Sequence, residues 1–329
     1  MSRPNPLMSF EGVGKLFATS GGLLRRSQGL HALKDMSFEL GRGEILGIVG
    51  ESGSGKSTLG RLALRLLEPS AGRVLYEGED LAVHGGLALK RLRRELQMVF
   101  QDPNSALNGR MSIEESLLEP LQIQQIGTRA ERAAEVRRLL DLVGLPQAVL
   151  TRYPHELSGG QKQRVVIARA IALKPKLLVA DEAVAALDAS VKAQITQLLL
   201  QLREQMGLSI LFISHDLPLV QSICDRVLVL YLGRLMEMAP RDALAEGGRH
   251  PYTRALWRSS PLADPGQRML DAEVLSGEIP SPLNPPPGCV FHTRCPESQP
   301  RCRQEAPATA LAAPDHQVFC WLQQAPSLP

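Results

Sequence analysis

The stretch that decides the fold is "GIVGESGSGKSTLGRLAL", residues 47–64. It follows the apolar run "EILGIV" (44–49) and leads into a helical pattern, so a strand, a glycine-rich turn and a helix stand in the order that a phosphate-binding loop requires. Gly50, Gly53 and Gly55, with Ser52 and Ser54 between them, allow a backbone turn that points successive N–H groups at phosphate oxygens. The helix opening near Lys56 adds its positive N-terminal end. Lys56 is placed to reach the β- and γ-phosphates, Ser57 to offer its hydroxyl to Mg²⁺, and Thr58 completes the turn. A Gly-Ser stretch can also be a plain flexible turn. The strand before it, the spacing and the Lys-Ser pair argue against that reading.

Outward from this loop, "KLLVAD" (176–181), "SILFIS" (209–214) and "RVLVLYLG" (226–233) are short apolar runs bounded by Gly, Asp or Ser, as buried parallel strands are. Amphipathic segments lie between them. In "DASVKAQITQLLLQLREQMG" (188–207), Val191, Ile195, Leu198, Leu199, Leu202 and Met206 share one helical stripe, and Gly207 is a fitting stop. Another helix opens with a capping box from Thr128 to Glu131 and ends at Gly144. The pattern predicts an α/β domain over 1–249 with a helical subdomain at about 102–175, and a loop-rich, cysteine-containing extension over 250–329. The last fifty residues hold eleven of the 24 prolines and about nine large apolar side chains, too few to predict a packed core.

Composition fits a globular chain: 329 residues, 44% hydrophobic, 22% charged. A net charge of +3 gives no reason to expect a polyanionic partner. "MSRPNPLMSFEG" lacks the apolar stretch of a signal peptide, so export is not expected. No apolar run reaches the length of a bilayer span, so work at a membrane would require docking onto a partner that spans it.

A second constellation sharpens the first. In "ELSGGQKQRVVIARAIALKPKLLVADEAVAALD" (156–188), a glycine-rich turn opens a helix, and a strand ending in the paired acids Asp181 and Glu182 follows. Asp181 can hold the Mg²⁺ shell and Glu182 can polarise an attacking water. Ser158 is a natural N-cap, which makes "LSGGQ" a second anion-binding helix start. One P-loop and one further anion-binding start on a single chain suggest two copies sharing a nucleotide.

With these motifs in place, residues 8–245 resemble an ATP-binding-cassette (ABC) ATPase, with its motifs in family order. Gly50–Ser57 matches Walker A, Gln101 in "MVFQDP" the Q-loop, and Ser158, Gly159, Gly160 and Gln161 the signature. "LLVADE" matches Walker B, "AALD" (185–188, ending at Asp188) the D-loop, and His215 in "ISHD" the switch histidine. The resemblance implies catalysis by Glu182, His215, Gln101 and Lys56, Mg²⁺ held by Ser57, Gln101 and Asp181, and a dimer contact through the signature and Asp188. It assigns adenine stacking to Phe17, with Phe10 as the competing aromatic. The position after the Walker B glutamate is commonly proline in this family and here is Ala183, a change of loop stiffness rather than chemistry.

"HALKDMSFEL", "MVFQDPNSALNGRMSIEESLLEPL" (with Gly109 where proline is usual), "HPYTRALWRSSP" (250–261) and the cysteine-bearing tail narrow the likeness to the second ATPase subunit of dipeptide/oligopeptide-type importers. That likeness implies a peripheral subunit on the cytoplasmic face of the inner membrane. Its implied partners are a paralogous ATPase, two integral-membrane permeases and an extracytoplasmic solute-binding protein. Nickel and metallophore importers share this architecture. A reading from another class, a soluble ABC ATPase acting on nucleic acid or ribosomes, meets a single cassette with no long insertion. The basic run "KRLRRE" (90–95) reads as a solvated face rather than a nucleic-acid site.

Four of the five cysteines, Cys289, Cys295, Cys302 and Cys320, fall in the tail with spacing C-x5-C-x6-C-x17-C, while Cys224 in "VQSICDRVLVL" reads as a buried small residue. Thiols inside cells stay reduced, so a metal staple is a better expectation for the tail than a disulfide framework. Four thiolates suit Zn²⁺ or an iron–sulfur cluster. The family resemblance implies a [4Fe-4S] cluster, with Zn²⁺ as the alternative.

Overall fold

The computed structural model describes residues 5–18, 29–185, 187–259, 277–313 and 315–324. Ala186 of the D-loop stretch and residues 260–261 lie outside them. The strands run Met8–Ala18 (β1), Gly29–Leu40 (β2), Ile45–Val49 (β3), Ala71–Tyr76 (β4), Glu79–Asp80 (β5), Leu96–Val99 (β6), Leu177–Asp181 (β7), Ser209–Ile213 (β8), Arg226–Tyr231 (β9), Arg234–Pro240 (β10), Ala310–Ala313 (β11) and His316–Val318 (β12). The chain divides into two compact units, one of residues 1–41, 45–82 and 214–329, the other of residues 42–44 and 83–213.

The first unit holds a four-stranded antiparallel sheet in the order β2-β1-β4-β5. Met8 opposite Leu40 and Phe10 opposite Phe38 turn inward, and these two rings stack with centroids 4.3 Å apart. The same unit carries β3 and β9 in parallel, Gly47 opposite Val227, with β10 antiparallel to β9. Every residue of β3 and β9 is buried, and apart from Arg226 at the start of β9 both strands read as continuous apolar runs rather than alternating. Cys224 is fully buried, and a Cβ built on Gly47 would sit 2.9 Å from its sulfur, so Gly47 makes the room that this small side chain fills.

The tail belongs to this unit. β12 pairs antiparallel with β10, Glu237 opposite Val318, and β11 with β12, Ala310 opposite Val318. Phe291 is fully buried against Tyr231 (centroids 5.3 Å apart, edge-on), Tyr252 (5.1 Å) and His250 (5.8 Å). Buried Glu237 accepts backbone N–H bonds from Arg249 and His250 and pairs with His316 at 2.7 Å, which ties β10 to both ends of the extension. Main-chain pairing and one aromatic cluster thus dock the tail onto this unit, where its own apolar residues are too few for a core.

The second unit holds β6, β7 and β8 in parallel, Leu96 opposite Leu177 and Leu177 opposite Ser209. Its helices include Ile113–Ile123, Arg129–Leu142, Gly159–Ile171 and Ala189–Met206. The Thr128 capping box forms as predicted, and the Ala189–Met206 helix buries Ile195, Leu198, Leu199 and Leu202 and stops at Gly207 (φ 64°). No helix among the described residues is long and apolar enough to cross a membrane.

Candidate functional site

In the first unit, β3 delivers the chain into the glycine loop, whose shape only glycine allows at two points. Gly50 has φ +148°, and a Cβ on it would lie 2.2 Å from the carbonyl oxygen of Leu230; Gly55 has φ +102°, and its Cβ would lie 2.5 Å from that of Ala32. The Lys56–Ala63 helix starts straight from Gly55 with no side-chain cap, so its first N–H groups face the loop rather than a Ser or Asp oxygen. Lys56 is buried and donates from Nζ to the carbonyls of Gly50 (2.8 Å) and Glu51 (2.9 Å), which holds its charge within the loop. Ser52, Gly53, Ser54, Ser57 and Thr58 occupy the loop and first helical turn as predicted; the buried Ser54 carbonyl accepts from the N–H of Gly233 at 3.0 Å.

His215 is exposed, just beyond β8, and lines a cavity of about 430 Å³ with Gly50, Glu51 and residues of the helices at Leu217–Ile223 and Pro251–Arg258. The predicted switch residue thus faces the same space as the start of the glycine loop. Of the two aromatic candidates near the N-terminus, Phe10 is core, 2% exposed and stacked on Phe38. Phe17 is only half-buried, its ring 5.3 Å from the Lys15 ammonium.

In the second unit, Asp181 ends β7 in a buried position and Glu182 begins the turn beyond it. Glu182 adopts φ +49°, a left-handed backbone that costs energy in a non-glycine residue and is seen at sites where function dictates geometry. Its N–H donates to Ile213 O (2.9 Å), its carbonyl accepts from Ala185 N (3.0 Å), and its carboxylate accepts from the Gln101 amide at 2.7 Å. The structure thus joins two predicted catalytic residues 81 positions apart. Ala183, the departure from proline, is buried within this turn.

Ser158 caps the signature helix reciprocally: its Oγ accepts from Gln161 N (3.3 Å) and its own N–H donates to Gln161 Oε1 (3.0 Å). A Cβ on Gly160 would lie 2.7 Å from Val191 Cγ1, while one on Gly159 would make ordinary contact with Leu187, so Gly160 lets the signature helix approach the next one closely. Asp188 caps that next helix, accepting from the N–H of Val191 (3.0 Å) and the hydroxyl of Ser190 (2.8 Å). The Val191 bond first, and the Ser190 bond after it, hold its carboxyl below the usual range.

Neither the four tail cysteines nor Cys224 forms a disulfide. Burial, reinforced by Cys289 and Cys302, pushes the Cys295 thiol up to about 11; burial, with the other three thiols, pushes Cys320 up to about 12; burial raises Cys289 as well. The four therefore sit within electrostatic reach of one another, and their chemistry suits a thiophilic metal. Among the described residues, however, no three His, Cys, Asp or Glu side chains are arranged to hold a metal ion.

Two side chains at the glycine loop escaped the sequence reading. Arg294, beside Cys295, donates from Nη1 and Nη2 to the Glu51 carboxylate (2.7 and 3.1 Å), and the Tyr252 hydroxyl accepts from the Glu51 N–H (3.0 Å). The one available signal was the oddity of a carboxylate inside a phosphate-binding loop.

The ABC transporter family model matches residues 33–185, and that of the oligopeptide/dipeptide transporter C-terminal region matches residues 236–302. The chain is 46% identical over 319 residues to the oligopeptide transport ATP-binding protein AppF of Bacillus subtilis, covering 96% of this chain and 97% of that one. It is 46% identical over 297 residues to the oligopeptide transport ATP-binding protein OppF of Haemophilus influenzae, 90% of each chain. Among solved structures, it resembles the dimeric post-hydrolysis state of the cassette MJ0796 bound to ADP and Pi, at 29% identity and a TM-score of 0.64, over 71% of this chain and 98% of that one. It also resembles cbiO1 from Clostridium perfringens, part of the ABC transporter complex cbiONQ, at 28% identity and a TM-score of 0.65, over 74% and 92% of the two chains. With relatives matching along nearly its whole length, the chain belongs to the ABC transporter ATP-binding family, in the group that carries the oligopeptide/dipeptide C-terminal region.

Proposed function

We propose that this chain is the ATP-hydrolysing subunit that powers uptake of di- and oligopeptides by a multi-subunit importer. The observation that carries the reading is the coexistence, on one chain, of a complete ATPase motif set with the oligopeptide/dipeptide C-terminal region, in relatives whose names specify oligopeptide transport. The nickel or metallophore alternative has no comparable observation behind it.

The residues supply the steps. The loop N–H groups of Gly50–Gly55 and the Lys56 ammonium bind the phosphates, and Phe17 stacks on the base. Mg²⁺ would neutralise phosphate charge, with Ser57, Gln101 and Asp181 as the residues that would hold it; the buried carboxylate ending β7 suits that duty. Glu182, fixed by Gln101, polarises the attacking water, and His215 steadies the terminal phosphate. Ser158, Gly159, Gly160 and Gln161 complete the nucleotide site of a paralogous ATPase, with Asp188 at the same contact. Two permeases and an extracytoplasmic binding protein make up the rest of the complex, which places this chain peripherally on the cytoplasmic face of the inner membrane. Nucleic acid has no part in this scheme.

For the tail we propose a [4Fe-4S] cluster on Cys289, Cys295, Cys302 and Cys320, with Zn²⁺ as the competing occupant. Four cysteines in mutual electrostatic reach, none of them in a disulfide, support it. Its contribution would be a cross-link within the tail. Anaerobically purified protein should be brown with about four irons per chain; colourless protein with stoichiometric zinc reassigns the site, and metal-free protein with an intact tail removes it.

The function is tested by affinity purification of the tagged chain from detergent-solubilised membranes. Two permeases and a second ATPase should accompany it, and ATP turnover should rise on adding peptide-loaded binding protein. A complex whose turnover responds to a nickel chelate and not to peptide would overturn the cargo.

A further inference from the structure

A carboxylate in a phosphate-binding loop is an electrostatic problem. Glu51 is the second residue of the loop, and its negative charge opposes the triphosphate that the loop is built to hold. The structure shows what answers it. The Arg294 guanidinium meets the Glu51 carboxylate as a two-pronged fork, at 2.7 and 3.1 Å, with the Arg294 side chain 5% and the Glu51 side chain 22% exposed. A pair so withdrawn from water is screened far less than a surface pair, and the planar fork fixes orientation as well as charge.

Arg294 is itself held from behind. Its Nη1 also donates to the Tyr231 hydroxyl at 3.3 Å, its N–H closes a turn onto the Phe291 carbonyl at 3.0 Å, and Phe291 is locked in the aromatic cluster with Tyr231 and Tyr252. Tyr252 in turn accepts from the Glu51 N–H, and Lys56 donates to the Glu51 carbonyl. Glu51 is thus gripped at its carboxylate and its N–H by the C-terminal extension, 243 and 201 residues away, and at its carbonyl by the lysine that faces the phosphates.

We propose that Arg294, on the cysteine-bearing tail, is a positioning residue for nucleotide binding: it neutralises Glu51 and anchors the phosphate loop in the shape that accepts a triphosphate. It touches no reacting atom and acts through Glu51. The tail is on this view a working part of the ATP site rather than an appendage, and the inference rests on the ATP-binding reading above.

The test is a charge-reversal of the problem, read as affinity. Binding of Mg·ATP to the full-length chain is measured by calorimetry for wild type, Lys56→Ala, Arg294→Ala, Arg294→Lys, and Arg294→Ala combined with Glu51→Gln. Arg294→Ala should weaken binding at least about tenfold, because it leaves a half-buried carboxylate uncompensated beside the phosphates. Arg294→Lys should fall between, since an ammonium keeps the charge but not the fork. Adding Glu51→Gln to Arg294→Ala should restore affinity to within about threefold of wild type, a rescue that a simple loss of tail folding would not permit. Binding by Arg294→Ala within about twofold of wild type, or a double variant as weak as the single one, overturns the proposal. Failure of the wild type to bind, indistinguishable from Lys56→Ala, would sink the ATP reading and this inference with it.

Discussion

The glycine loop at 50–57 and the tail at 288–320 are both irregular and rich in turns, yet they are made in opposite ways. The loop carries its instructions locally: glycines at φ +148°, +76° and +102° within six residues, a strand before and an uncapped helix after. The tail has few instructions of its own. Its shape comes from β10, from Tyr231 and Tyr252, and from Glu51, all distant in sequence. Locally coded backbone geometry holds the chemistry, and tertiary contacts position it.

That contrast orders the expected effects of perturbation. The largest is on chemistry. Glu182→Gln keeps the Gln101 neighbourhood nearly isosteric while removing the proposed base, so ATP turnover by the assembled complex should fall about a hundredfold or more with ATP affinity unchanged, measured by phosphate release and calorimetry. A variant keeping most of its turnover would show that another group activates the water.

Next comes the tail. Phe291→Ala empties a fully buried site inside the aromatic cluster and should cost about 3 kcal/mol of stability in chemical denaturation. It should also weaken ATP binding, since Phe291 seats the turn that carries Arg294, while turnover per bound nucleotide stays near wild type. An unchanged affinity would break the link between the two regions.

The smallest effect is that of pH. Burial, against a partial opposing pull from Glu237, lowers the His250 pKa from 6.5 to about 4. The unfolded chain therefore takes up a proton that the folded chain refuses between those values. This contribution to stability is present above pH 6.5 and is lost as pH falls from 6.5 towards 4. Replacing His250 with Gln should flatten that part of the melting-temperature profile; an equally steep profile would place the sensitivity elsewhere.

The same contrast explains what was legible from residues alone. Elements with local signals were readable: the strand–loop–helix at 44–64, the Thr128 capping box, the Ser158 N-cap, the Gly207 stop and the buried Cys224. The choice between Phe10 and Phe17 needed burial, because the two aromatics look alike in sequence. The tail was misjudged because counting its own apolar residues ignores the surface it borrows: three residues, His316–Val318, suffice as a strand when β10 offers an edge. Arg294 was illegible for the same reason, since a basic residue beside a cysteine announces nothing until Glu51 is found facing it.

The central claim, that this chain converts ATP hydrolysis at Glu182 into peptide uptake, is tested most directly by transport itself. Uptake of a labelled oligopeptide is followed in proteoliposomes containing the assembled permeases and ATPase pair, with binding protein outside and ATP sealed inside. Accumulation should require ATP and should fall about a hundredfold or more with Glu182→Gln in this subunit. ATP-driven accumulation that persists undiminished with Glu182→Gln, or liposomes that take up no peptide while hydrolysing ATP at full rate, would contradict it.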